Sequence, residues 1–404
     1  MSSDQQVDQA NHQGLERMKA VHPVWSGIER ASKALHMNDH TLLHAGPPLP
    51  DVCNPPAAIF SSMVLSCLYE GWAKDEAQAE ALIRSGKLNL LPAQDHACVT
   101  PLAAIISPSS SLVKVVDASG TVSPVWSLLS SGPPPDIRFG SRDLGCLTGM
   151  TYRDGELASL LTKALHTPID LVDVANQGLA GGDELHSRTQ SATAALRVEL
   201  IKRLTQVGVA QDSLDALSSM MQAAPGFFLT LWMAACRLYL SASDGIEHCS
   251  LVTRMGGNGE TVGYSVGAQP VSWITAPATP PVGSYFAHHA PDLQPSGVVG
   301  DSAVVDAMGF GGQIVSHAPD VLASLVNYLP ANYAETKHAI MLADLAAYQA
   351  TAPVRCGLDV RKIMASRTTP LVNIGILAAD GTHGLLGRGL YVPPVEIFQS
   401  ITSA

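Results

Sequence analysis

The chain has 404 residues, 46% of them hydrophobic and 5% aromatic, with a formal net charge of -11. That length suggests two or three domains with ample material for a core, and the acidic balance, spread without long charged blocks, argues against nucleic acid as a partner. Seven cysteines, an odd number with no CxxC pair, fit neither a disulfide framework nor a thiolate zinc site.

The N-terminus MSSDQQVDQANHQ is polar and reads as frayed over residues 1–13. It lacks the apolar core of a secretory signal, and no run of about 18 uncharged apolar residues follows, so no membrane span and a cytoplasmic location are expected. Residues 14–36 read as an amphipathic helix interrupted near Pro23. HTLLHAGPPLP reads as a short buried strand ending in a Gly-Pro-Pro loop. AAIFSSMVLSCLYEGWA, 57–73, is a largely apolar helix, and Pro55 and Pro56 suit its first turn. In DEAQAEALIRSG, Asp75 is a plausible N-cap and Gly86 a C-terminal stop. LNLLPA and SLVKVVDA read as strands. Strands alternating with helices predict an α/β unit over 37–149, after an arm and helix over 1–36.

Proline then vanishes between Pro168 and Pro225, and the apolar spacing turns helical. ELASLLTKAL, ELHSRTQSATAALRVELIKRL, SLDALSSMMQAA and FFLTLWMAACRLYLSA predict a helical domain over 150–245. Beyond it, SLVTRMGGNGETVGYSV predicts a hairpin turning at Gly-Asn-Gly, and VSWITAP another strand. DSAVVDAM, APDVLASLVNYL and ETKHAIMLADLAAYQ read as helices and LVNIGILA as a strand, giving a second α/β domain over 246–404. The fold class is thus mixed α/β, two α/β domains flanking a helical one.

Several polar constellations could carry chemistry. In AGGDELHSRTQSA, Asp183 follows Gly182 where an N-cap belongs, and Glu184 and Arg188 stand four apart, as in a helical ion pair. His186 remains unexplained; at a helix start its pKa would fall and a neutral imidazole would serve as acid, base or donor at an anion site. His44 ends a strand before a turn, where α/β sheets place ligands, although it could equally cap the strand while Pro47 and Pro48 stiffen the turn. Glu70 follows a long apolar run and is expected to be partly buried. GDSAVVDAMGFGG resembles an anion cradle, with Gly300 allowing close backbone approach and Asp301 or Ser302 capping a short helix, but it matches neither phosphate-loop fingerprint. In CGLDVRKI and TTPLVNIG, Arg361 could grip an anion or make a surface salt bridge, and Asn373 lies in or beside a strand. No GxSxG elbow or HExxH motif occurs, and the adjacent His288 and His289 are poorly spaced to share one metal in a strand.

Taken in order, TLLHAGPP, EGWAKDEAQAEALI, GDELHSR, GNG with its Trp-Ile-Thr-Ala-Pro strand, GDSA with GFGG, and CGLDVRKI with TPLVNIGI resemble the YlbE-like family over about residues 37–398. That family includes the AllG-type subunit of the oxamate carbamoyltransferase of allantoin breakdown. The resemblance implies two α/β domains around a helical one, and phosphorolysis of oxalurate to oxamate and carbamoyl phosphate. It implies FdrA-type and AllH-type protein subunits as partners, and a homo-oligomer is expected. No cofactor is expected; phosphate is the co-substrate, and a divalent metal is left open. ISPSSSLVKVVDASG and PAQDHACVTPLAAI depart from the family pattern, so the ureide or amide acid used could differ.

Such chemistry needs anion sites, donors on the carbamoyl oxygen and a proton shuttle. His186 or His44 could polarise the carbonyl or move the proton, and Glu70 and Asp183 could orient a histidine. Arg188, Arg361, Asn373 and the Gly300–Asp301–Ser302 turn could hold the anions. An amide or ureide hydrolase and a non-catalytic scaffold subunit are the competing readings.

Overall fold

The computed structural model describes residues 3–286, 292–351 and 353–401, and the His288-His289 pair lies outside them. The N-terminal reading needs two corrections. A helix, Ser3–Ala20, occupies the stretch read as frayed. The helix expected through Pro23 is instead a strand, Pro23–Arg30. Tertiary pairing decides both. The strand pairs antiparallel with Ser111–Asp117 and Ile169–Asp170 and buries Trp25 completely. Asn11 of the helix is buried, and its amide donates to Ser250 Oγ at 2.9 Å and Asp359 Oδ2 at 3.2 Å.

The expected mix of helices and sheets is present, but most strand pairs are antiparallel. A five-stranded sheet runs in the order Cys98–Val99, Val125–Leu128, Ser111–Asp117, Pro23–Arg30, Ile169–Asp170. A second runs Gln269–Pro277, Thr261–Val266, Val252–Asn258, Val299–Gly300, and contains the expected hairpin. A third joins Val282–Tyr285, Leu385–Tyr391 and Val372–Leu377. The strand Thr41–His44 pairs in parallel with Asn89–Pro92.

The apolar run at 227–241 becomes the central helix, Phe227–Ser241, with nearly every side chain buried. A helix apolar on all sides must be covered on all sides. This one packs on the five-stranded sheet and on the Val252–Asn258 strand. Trp232 meets Phe310 edge-on at 5.0 Å and Tyr348 at 5.6 Å, linking it to the C-terminal half. Among the described residues, no single helix is long and apolar enough to cross a membrane.

Two further expectations are corrected. ETKHAIMLADLAAYQ forms only a short helix, Thr336–Ile340, before turning into the strand Met341–Asp344, which pairs with Arg355–Leu358. The helix expected from Asp183 starts at Gln190, so GDELHSR is a loop. Its cause lies in the side chain of Glu184.

Candidate functional site

Glu184 is fully buried, and its carboxylate gathers the loop's own backbone. It accepts from the N–H groups of His186 at 2.5 Å, Ser187 at 2.6 Å and Arg188 at 3.0 Å. Those donors would otherwise point into a helix turn, so the loop is held open by a side chain that competes with helix formation. No Glu184–Arg188 ion pair forms. Arg188 Nε instead lies 3.1 Å from Asp183 Oδ1. Asp183 Oδ2 accepts from Ala192 N at 2.8 Å, so it caps the Gln190–Gln206 helix from nine residues upstream.

The loop meets the GDSAVVDAMGFGG segment face to face. His186 Nδ1 stands 2.7 Å from Asp306 Oδ2. The other oxygen of Asp306 accepts from Gly312 N at 2.7 Å and Asn373 N at 3.1 Å. The amide of Asn373 donates to Glu184 at 3.3 Å, and Gly311 N donates to the Glu184 carbonyl at 2.8 Å. Glu184, His186, Asp306 and Asn373 therefore form one buried shell built from three separate segments.

The electrostatics of this shell correct the expectation for His186. Burial alone would lower its pKa, but the charge and hydrogen bond of Asp306, with the charge of Glu184, raise it above 6.5. The imidazolium is favoured, where a helix start would have favoured the neutral ring. Burial pushes Glu184 up to about 7, against the pull of the His186 charge and the loop's N–H groups.

His186 lines a cavity of about 370 Å³, within the range of small-molecule sites, roughly 300–1,000 Å³. Its walls come from the 186–190 loop, the Pro101-Leu102 and Arg138-Phe139 turns, Pro225 and Gly226, and the strands carrying Ile374, Gly375, Leu385, Gly387 and Arg388. Three guanidiniums, Arg138, Arg188 and Arg388, face one carboxylate among these walls, Asp320. Asp320 lies 3.4 Å from Arg188 and 3.8 Å from Arg388. Arg138 lies 3.7 Å from Asp136 and rests over the Phe139 ring at 4.8 Å. Ser302 also lines the cavity, and its hydroxyl has no hydrogen-bond partner. Each of these cations is thus paired with a carboxylate, Arg188 with Asp183 and Asp320, Arg388 with Asp320, Arg138 with Asp136 and the imidazolium with Asp306, and the guanidiniums bring charged hydrogen-bond donors to the walls.

Of the residues singled out from sequence, His186, Arg188 and Ser302 line the cavity. Asp183 and Asn373 lie behind it, holding Arg188 and Glu184 respectively. Gly300 and Asp301 form a structural cross-link. Asp301 is buried and accepts from Gly46 N at 2.8 Å, Thr100 N at 3.0 Å and Gln94 Nε2 at 2.6 Å. Burial outweighs these donors and raises it to about 7. The helix after it, Ala303–Ala307, is a single turn, too short to act as an anion cradle through its dipole.

His44, Glu70 and Arg361 stand apart from the cavity. His44 is buried, with Nδ1 on Ala45 O at 2.7 Å, and burial lowers it to about 4. Glu70 is half-buried, as expected, and binds Ser109 through its N–H and hydroxyl. Arg361 bridges Asp8 at 2.6 Å and its helix cap Asp359. Sequence reasoning missed Arg138, Arg388 and Asp306. Asp306 carried a signal, a carboxylate inside the apolar run SAVVDAM; Arg138 and Arg388 carried none beyond their charge. Among the described residues, no three His, Cys, Asp or Glu side chains converge as metal ligands.

Comparison with known proteins adds a family. The family model of oxamate carbamoyltransferase subunit AllG matches residues 88–302. The chain is 30% identical to the oxamate carbamoyltransferase subunit AllG of Escherichia coli K12, over 98% of this chain and 97% of that one. It is 28% identical to the uncharacterized protein YahG of the same organism, over 96% and 84% of the two chains. Its fold is similar to the crystal structure of a conserved protein of unknown function from Enterococcus faecalis V583, with a TM-score of 0.93, 25% identity, and coverage of 99% and 98%.

Proposed function

The chain belongs to the family of the oxamate carbamoyltransferase subunit AllG, and from that premise we propose that it carries the site where a carbamoyl group passes between an amide nitrogen and phosphate. The observation that carries the proposal is the cavity ringed by Arg138, Arg188 and Arg388 with His186 in its wall. Oxalurate and phosphate are both anions and repel each other in water. Bringing them together is the main obstacle, and three guanidiniums around one small cavity offset that repulsion.

In the direction of phosphorolysis, a phosphate oxygen attacks the ureido carbonyl carbon of oxalurate. The bond from that carbon to the oxamate nitrogen breaks. The nitrogen leaves with the bonding pair and takes a proton, giving oxamate and carbamoyl phosphate. His186 suits the proton transfer. Asp306 holds Nδ1 and favours the imidazolium, which leaves Nε2 to donate. Asp306 is a positioning residue in this scheme, and Glu184 and Asn373 fix the loop that presents the ring. No side-chain nucleophile is required. The FdrA-type and AllH-type subunits would complete the assembly in which the reaction runs.

Formation of carbamoyl phosphate from oxalurate and phosphate is the test, measured with the chain alone and with its partner subunits. We expect Arg388→Gln and His186→Gln each to reduce kcat/KM by about a hundredfold, the scale of a lost general acid or charge contact. Ammonia release without phosphate would identify a hydrolase. Full activity of both variants in the complex would leave this chain a scaffold.

A further inference from the structure

A second polar cavity, of about 650 Å³, shares no wall residue with the first. It opens beside the N-terminal helix and the end of the central helix. Two of its walls are guanidiniums taken out of water: Arg237 is 4% exposed and Arg254 6%. Each holds one carboxylate, Arg237 Nη2 on Asp244 at 2.9 Å and Arg254 Nη1 on Asp95 at 2.5 Å. Nε and Nη1 of Arg237 and Nε of Arg254 have no hydrogen-bond partner. Burial and the neighbouring Arg237 charge lower the pKa of Arg254. Arg17 adds a third cation to the walls.

A fold rarely buries two like charges side by side and leaves their donors unmet, because each unmet donor costs the full desolvation of the group. An anion in the cavity offsets the positive charge that these guanidiniums bring to its wall. We propose that this cavity is a second oxoanion site, built for the phosphate group of a small phosphate monoester. Phosphate suits it better than carboxylate. The two guanidiniums already have one carboxylate each, and a phosphate dianion brings the second negative charge and the third oxygen that another carboxylate would lack. The cavity is also larger than the first, which leaves room for an organic body beside the phosphate. Its wall residue Gln94 donates to Asp301, whose neighbour Ser302 lines the first cavity. The two walls are thus linked through the Gln94–Asp301 hydrogen bond.

Isothermal titration of the full chain with glycerol 3-phosphate, inorganic phosphate and succinate at fixed ionic strength tests the proposal. Glycerol 3-phosphate is expected to bind, and Arg254→Gln to weaken it at least tenfold. Arg388→Gln, which alters only the first cavity, should leave that binding intact. Removing a buried charge can also disturb folding, so Ser123→Trp is measured as well. Ser123 is an exposed wall residue, and an indole there would take up room in the cavity while both buried arginines keep their charge. The same loss with an unchanged melting temperature supports the site. Equal affinity for inorganic phosphate that Arg254→Gln weakens and Arg388→Gln does not would identify the free ion as the ligand and also supports it. Wild-type binding by both Arg254→Gln and Ser123→Trp overturns the proposal, as does binding lost only in Arg388→Gln. Succinate binding as tightly as either phosphate would overturn the assignment of phosphate.

Discussion

Two Gly-Asp turns, Gly182-Asp183 and Gly300-Asp301, have similar local sequences and different duties. Both glycines have positive φ, 82° and 132°. Both aspartates are fully buried. Asp183 sits against a guanidinium that lines the first cavity, so its charge is matched and its work is to aim Arg188. Asp301 has no cation beside it and binds three donors from two distant segments. One turn orients a group toward a ligand, and the other stitches the molecule together. A local motif therefore does not identify a site; what the carboxylate meets after folding does.

The largest difference between the turns should appear on removing the stitch. Asp301→Asn keeps the shape but points an amide N–H₂ at backbone N–H groups. Leaving one buried donor unmet costs about 2 kcal/mol, so the denaturation midpoint should fall clearly. An unchanged midpoint would break the comparison. Asp183→Asn should cost only about 1 kcal/mol, since the amide oxygen can still accept from Ala192 N. By loosening the hold that aims Arg188 it should weaken phosphate binding, measurable by titration.

The glycines sharpen the contrast further. Gly300→Ala adds a Cβ 3.1 Å from Leu102 N in a region L residues rarely adopt, whereas the nearest atom to a Cβ at Gly182 is 4.0 Å away. Gly182→Ala should therefore cost about 1 kcal/mol for conformation alone, and Gly300→Ala more. Equal melting temperatures for the two variants would contradict this.

A smaller effect depends on pH. His186 holds its proton more tightly folded than unfolded. The resulting stability is full below about pH 6.5, the unfolded value, and is lost as pH rises through the higher folded value. The melting-temperature gap between wild type and His186→Gln should be wider at pH 6 than at pH 9. A gap independent of pH would mean that Asp306 does not favour the imidazolium. The smallest effect belongs to Arg361→Gln, whose exposed pairing with Asp8 is worth about 0–1 kcal/mol. It should leave carbamoyl transfer unchanged, and lost activity would bring Arg361 back to the site.

The sequence made local features legible where local forces decide them. The Asp75 cap, the hairpin before Thr261 and the apolar helix at 227–241 all formed as read. The mixed fold class was readable from the alternation of elements, and the resemblance supplied the family. GDELHSR was misread as a helix start because Glu184 binds three N–H groups that a helix would have used, which no periodicity reveals. Arg138 and Arg388 were invisible as site residues because they stand 250 positions apart and meet Arg188 only through packing. His44, Glu70 and Arg361 looked like site residues because polar side chains at strand and helix ends serve structure and chemistry with the same residue types.

Asn11 has a consequence for biosynthesis. Its partners Ser250 and Asp359 lie 239 and 348 residues downstream. While the chain is being made, the first helix emerges long before either partner exists. Its polar anchor stays unmatched until nearly the whole protein has left the ribosome. Contacts this distant in sequence form slowly, so the segment synthesised first completes its anchor only after residue 359 has been made.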